Sequence, residues 1–104
     1  MTQLITTSQQ VDRPTVRRRL AIGKEMVASM ETLTGAGQRF QMSKLVVFLD
    51  DEFQRCFGAA PGRRPRVIAW WLRQLHGEAE RVSPDTAAFN RRAETVIDAI
   101  CAAV

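Results

Sequence analysis

The sequence predicts an all-α fold: a compact four-helix domain over residues 13–104, preceded by a flexible N-terminal arm over residues 1–12. Three observations support this fold class. In four segments, apolar residues recur at the three-to-four-residue spacing of an amphipathic helix. Glycines and prolines separate these segments from one another. The N-terminal residues are rich in Thr, Gln and Ser and show no sustained period, which is typical of a mobile arm.

The first predicted helix runs from about Pro14 to Leu33, since proline suits the first turn of a helix. Apolar residues form its inner face: Leu20, Met26, Val27, Met30 and Leu33. Arg17–Arg19 lie near its start, where each cation opposes the helix dipole by roughly a few tenths of a kcal/mol. A functional surface can tolerate a local conflict of this size.

The second predicted helix runs from about Ser43 to Phe57, after a glycine-rich loop, and Gly58 is a natural stop. Its apolar face is broad: Leu45, Val46, Phe48, Leu49, Phe53, Cys56 and Phe57. Asp50–Glu52 are expected to fan out over the opposite, solvated side. The β-propensity of Lys44–Leu49 would also allow a strand, but the helical spacing continues beyond this segment and favours a helix.

The third predicted helix runs from about Pro65 to Val82. The fourth follows directly, with Ser83 as N-cap, Pro84 at the first helical position and Asp85 near the positive end of the dipole. Both segments carry an apolar face at helical spacing, and in helix four this face extends from Phe89 to Ile100. Four helices of this kind predict an all-α domain.

The charge of the chain is basic and unevenly distributed. The formal net charge is +4, and of the 15 basic residues only Lys24 and Lys44 are lysines. Residues 1–40 and residues 41–75 each carry six basic and three acidic groups, whereas residues 76–104 carry three and five. Arginine matches phosphate geometry better than lysine does. A GC-rich genome would explain the preference for arginine, but it would not explain the clustering.

Several classes of protein are not indicated. No apolar run approaches the roughly 18 residues of a membrane span, and the first residues do not resemble a secretory signal, so we expect a soluble, cytoplasmic protein. The two cysteines, Cys56 and Cys101, form no metal motif and are expected to be buried free thiols. His76 has no neighbours at metal-ligand spacing and no evident nucleophile. We therefore expect no cofactor, no metal and no catalytic residues.

Two arginine groups are candidate contacts for a polyanion. The first group, Arg13, Arg17, Arg18 and Arg19, would neutralise phosphates with little sequence preference. Around Pro65 lies a second group: Arg63, Arg64 and Arg66. The free N–H groups of a helix N-terminus add to the attraction there. The alternatives are a solvated helix start for the first group and a charged loop for the second.

Trp70 and Trp71 are the third candidate. Neighbouring residues on a helix point about 100° apart, so both indoles cannot face one core, and Trp70 is expected nearer the surface. An exposed indole could stack on an unpaired base or anchor a protein interface. Two core or boundary residues are the plain alternative.

The stretch FLDDEFQRCFGAAPGRRPRVI, residues 48–68, resembles the central signature of the ProQ/FinO family of RNA chaperones. The matching positions are Phe48, Leu49, Phe53, Cys56, Phe57, Ala59, Arg64, Pro65 and Ile68. The resemblance implies binding of structured RNA by Arg64 and its neighbours Arg63 and Arg66. Two features depart from the family pattern: Arg66 stands where the family usually has Leu, and the family's later aromatic, basic and strand segments have no counterpart.

These observations predict a small non-enzymatic regulatory protein that binds nucleic acid, with RNA favoured over DNA. The loop between Phe57 and Pro65 is long for a helix-turn-helix, which counts against a DNA reader. The alternative is a helical protein-interaction module that acts as an inhibitor, adaptor or antiactivator through an apolar groove with a charged rim. A homodimer is plausible in that case, because four short helices leave apolar surface such as Val47 and Trp70 to cover.

Overall fold

The structure, a computed structural model, describes residues 12–58, 62 and 64–104. Four α-helices and one short 3₁₀ turn make up most of this part of the chain: α1 (Arg13–Ser29), the 3₁₀ turn (Met30–Thr32), α2 (Gly35–Phe57), α3 (Arg66–Ala79) and α4 (Thr86–Ala103). The described residues contain no strand. The predicted all-α, four-helix architecture is confirmed, while the predicted arm lies, up to residue 11, outside the described residues.

The helices form an antiparallel ring. α1 and α3 each pack against both α2 and α4, and α2 also touches α4 across the middle. Short connections between consecutive helices make neighbours antiparallel, so the starts of α1 and α3 lie at the same end of the bundle as the close of α2. The two arginine groups belong to that end.

The core is built from the apolar faces that the sequence pattern identified. Fully buried side chains come from all four helices and from the 3₁₀ turn: Val16, Leu20, Met30, Met42, Leu45, Leu49, Phe53, Leu75, Phe89, Val96, Ile97 and Ile100. Each such side chain contributes roughly 1.5–3 kcal/mol when its apolar surface leaves water. None of the helices in the described part of the chain is long and apolar enough to cross a membrane.

α2 is longer than the sequence pattern predicts, since it begins at Gly35 rather than Ser43. Gly35 opens the helix with a positive φ of 56°, which glycine adopts without strain. Two glutamines tie the extra turns to the chain before them. Gln38 donates to the carbonyls of Met30 and Leu33, and the Nε2 of Gln41 donates to the carbonyl of Met26. These tertiary contacts outweigh the poor helix propensity of the glycines. The loop before α2 is therefore shorter than predicted.

The other boundaries differ by a few residues. α1 ends at Ser29 and the 3₁₀ turn replaces its predicted last turn, while α3 begins at Arg66 and ends at Ala79. The N-cap of α4 is Asp85 rather than Ser83, because Asp85 Oδ1 accepts a 3.0 Å hydrogen bond from the Ala88 amide.

Glu78, almost fully buried, explains why the connection between α3 and α4 takes this form. Its Oε2 accepts a 2.7 Å hydrogen bond from the backbone amide of Asp85. The same carboxylate accepts from Arg81 at 3.3 Å and lies 4.0 Å from Arg92. One buried acid therefore fixes the turn and sets where α4 begins.

Candidate nucleic-acid interface

Residues in the last turns of α2 contact one arginine from each of the two groups. Arg19 of α1 makes two parallel hydrogen bonds to Glu52, from Nε to Oε1 at 2.8 Å and from Nη2 to Oε2 at 2.9 Å. Arg64, just before α3, places its guanidinium carbon 5.1 Å from the centre of the Phe53 ring. Because Glu52 and Phe53 are consecutive in α2, both groups lie at the same level of the bundle.

We call this part of the molecule the arginine end, comprising Arg17, Arg18, Arg19, Arg55, Arg64 and Arg66. Neighbouring residues of a helix point about 100° apart, so Glu52 and Phe53 direct Arg19 and Arg64 to different sides of α2. The two groups thus share one end of the bundle but occupy two sides of it.

The candidate arginines differ in how available they are. Arg17, Arg18 and Arg66 are exposed, and no carboxylate of the described residues lies within 4.0 Å of any of them. Arg19 is committed to Glu52, and Arg64 is partly covered by Phe53. Arg63 lies outside the described residues. Arg17, Arg18 and Arg66 are therefore free to meet a phosphate.

Glu52 was expected on a solvated acidic face, and that expectation is wrong. Its side chain has no exposed surface, whereas its neighbour Asp51 is exposed and Asp50 is half-buried. A carboxylate can be buried only when cations and donors satisfy it. Arg19 supplies two bonds and Arg55 a third contact at 3.5 Å, and the hydrogen bond to Glu52 raises the pKa of Arg19.

Trp70 lies on the surface and Trp71 packs against the core, as the helix geometry predicts. The indole of Trp70 is 49% exposed and lies one turn after Arg66 on α3. Arg73, also exposed, follows three residues later on the same face. We call these three residues the α3 stripe: an exposed indole with an arginine about one turn before it and another about one turn after it. The sequence pattern identified Arg66 and Trp70 but not Arg73, which its helical spacing from Trp70 could have revealed.

The two cysteines are free thiols, each half-buried rather than fully buried. Burial, with the nearby charge of Glu52, raises the pKa of Cys56 from 9.0 to about 11. The Sγ of Cys56 lies 3.8 Å from Glu52 Oε2. A thiol held protonated in this way is a poor nucleophile at neutral pH.

His76 contacts Asp50 across the interface between α2 and α3. Its Nε2 lies 2.5 Å from Asp50 Oδ2, and both side chains are partly exposed. The two residues are 26 positions apart, so no local pattern could have paired them. The contact joins two helices at the surface and gives no reason to assign the pair a chemical role.

An apolar groove lies between α1 and α2 and includes Val47, which the sequence analysis expected to leave apolar surface uncovered. Its volume is about 720 Å³, and its lining includes Ile22, Phe40 and Val47. These side chains are 50%, 66% and 57% exposed. Two exposed charged residues, Lys44 and Asp51, also line it. The spacing of Phe40, Lys44, Val47 and Asp51 was the available signal, although the predicted start of helix two excluded Phe40.

Comparison with known proteins gave no match: no family model fits the sequence, and no curated protein or solved structure is significantly similar to it. The resemblance of residues 48–68 to the ProQ/FinO family accordingly stays a hypothesis.

Proposed function

We propose that this chain is a small non-enzymatic regulatory protein that binds nucleic acid, RNA in preference to DNA, through its arginine end. One observation carries the proposal: Arg19 of α1 contacts Glu52 and Arg64, just before α3, contacts Phe53, so the two arginine groups lie at the same level of α2. Guanidinium groups at one end of a small domain capture phosphates with little regard for sequence.

Arg17, Arg18 and Arg66 are the phosphate contacts in this proposal. A single polynucleotide that crosses the arginine end can reach all three, because α1 and α3 both pack against α2 and packed helices lie about 8–10 Å apart. Arg19 has a different role, since it neutralises Glu52 and thereby keeps a buried negative charge from opposing the approach of phosphates.

The α3 stripe supports RNA over duplex DNA. The indole of Trp70 offers an unpaired base a stacking surface, and the arginines of the stripe can hold the flanking phosphates. Bases in a DNA duplex are already stacked and would leave Trp70 without a partner. Unpaired bases are common in the loops and bulges of structured RNA.

The test is a titration of the full chain against labelled stem–loop RNA and duplex DNA at two salt concentrations. We expect tighter binding to the RNA, and affinity that falls steeply as salt rises. The triple variant Arg17→Ala, Arg18→Ala, Arg66→Ala should reduce the slope of log K against log salt by about 2 to 3, at about 0.7–0.9 for each lost phosphate contact.

The matched control removes three exposed positive charges elsewhere: Lys24→Ala, Arg39→Ala and Arg91→Ala. Lys24 pairs with the exposed Asp98, and such a surface pair contributes little to stability. Arg39 contacts the Arg81 carbonyl at the opposite end of the bundle, where α4 also begins. This variant has the same net charge as the first and should keep most of the affinity and the slope. Equal losses in the two variants would show a general charge effect and refute the arginine end as the site.

The apolar groove favours the second candidate, a protein-interaction module. If the full chain leaves both nucleic acids unbound at physiological salt, the groove becomes the better guide to function.

A further inference from the structure

We propose that the groove between α1 and α2 is a homodimer interface in which α2 packs antiparallel against α2 of a second copy. The groove exposes three large apolar side chains on one surface: Ile22, Phe40 and Val47. A contiguous apolar patch of this kind on a small domain marks an interaction surface.

The two charged residues that line the groove identify the occupant. Lys44 and Asp51 lie on the same exposed stripe of α2 as Val47, and within the described residues neither has an ion-pair partner. Lys44 precedes the Val47–Phe48 pair by three residues, and Asp51 follows it by three. A two-fold axis through that pair therefore sets each Lys44 against Asp51 of the second copy, twice per dimer.

The same axis accounts for the most exposed aromatic ring. Phe40 precedes the Val47–Phe48 pair by seven residues, and Arg55 follows it by seven. The pairing thus brings the Phe40 ring toward Arg55 of the second copy, a cation–π pair. In the single chain the Nζ of Lys44 lies 5.5 Å from the centre of the Phe40 ring, so this ring already attracts a cation.

Parallel pairing is unfavourable on the same surface. It would place Lys44 beside Lys44 and Asp51 beside Asp51, and like charges across an interface disfavour association. The stripe is self-complementary in one direction only, which an unrelated protein partner would not require. This symmetry is why we assign the groove to a second copy of the chain.

Sedimentation equilibrium over a range of concentrations tests the proposal, with four chains compared: the parent, Lys44→Glu, Asp51→Lys and the double reversal. We expect the parent to be a dimer and each single reversal to raise the dimer Kd on the order of tenfold or more, because two repulsive contacts replace two attractive ones. The double reversal restores both ion pairs and should return the Kd close to that of the parent.

A second pair of variants separates the groove from other apolar surface. Val47→Asp places a charge at the centre of the interface and should give a monomer with unchanged helix content. Val82→Asp makes the same change at a side chain that is 87% exposed and outside the groove, and should remain dimeric. A monomeric parent, a dimer insensitive to the single reversals, or a double reversal that fails to restore association would each overturn the proposal.

Discussion

Arg19 and Glu52 are joined by two parallel hydrogen bonds of 2.8 and 2.9 Å, and the Glu52 side chain has no exposed surface. The pair links α1 to the last turns of α2, 33 residues apart in the sequence. A bidentate arginine–carboxylate pair combines charge with fixed geometry. The pair therefore stabilises the arginine end. The sequence alone does not distinguish Arg19 in this role from Arg17 and Arg18.

We predict that Arg19→Ala lowers the free energy of unfolding by about 3 kcal/mol, because it leaves a buried carboxylate with only the longer contact from Arg55 and the Cys56 thiol among the described residues. Urea denaturation followed by circular dichroism measures the change. Arg18→Ala is the control: its side chain is exposed, so stability should stay within about 0.5 kcal/mol. Equal destabilisation by both substitutions would contradict the structural role of Arg19.

The sequence predicted the helices well because their inner faces carry periodic apolar residues. Phe53, Leu75, Phe89 and Ile100 are all buried, and helical spacing alone identified them. The start of α2 was missed because Gln38 holds its first turns by side-chain bonds to distant residues. Local propensity contains no information about such contacts.

The candidate site was predictable in composition but not in detail. Arginine clustering identified the residues, and the antiparallel order of the helices explains why both groups lie at one end. Which arginine is free depends on where the carboxylates lie after folding. Glu52 looked like part of a solvated acidic run with Asp50 and Asp51, and only packing shows that it takes Arg19 out of the contact set.

Trp70→Ala should weaken binding to single-stranded or loop RNA by about 1–3 kcal/mol if the ring stacks on a base. Val67→Ala, at a side chain 55% exposed nearby on α3, is the matched control and should leave affinity unchanged. Trp70→Phe keeps a stacking surface and should recover part of the loss. Fluorescence anisotropy of labelled RNA measures all three, and an unchanged Kd in Trp70→Ala would remove the α3 stripe from the proposed interface.

The raised pKa of Cys56 predicts a stability loss at high pH. Folding raises the thiol pKa from 9.0 to about 11, so the folded state holds this proton more tightly than the unfolded state. The resulting stabilisation is complete below pH 9 and is lost as the pH rises through 11. We expect the free energy of unfolding to fall over this window in the parent and to fall less in Cys56→Ala. Cys101→Ala controls for removal of a thiol, and a pH profile equal to that of Cys56→Ala would contradict the assignment.

Replacing either of two glycines inside helices by a larger residue should change the free energy of unfolding, downward at Gly23 and upward at Gly77. A Cβ at Gly23 of α1 would lie 3.3 Å from Ile97 Cδ1 and 3.3 Å from Phe48 Cε2, so the close packing of α1 on its neighbours depends on glycine there. Gly23→Leu should overpack this contact and lower the free energy of unfolding by about 1–3 kcal/mol.

A Cβ at Gly77 of α3 would meet no neighbouring atom within 4 Å, so Gly77→Ala should raise the free energy of unfolding by about 0.5–1 kcal/mol through helix propensity alone. Thermal unfolding of the two variants decides the matter: a stable Gly23→Leu protein would mean that α1 packs less tightly against α4 than the structure indicates.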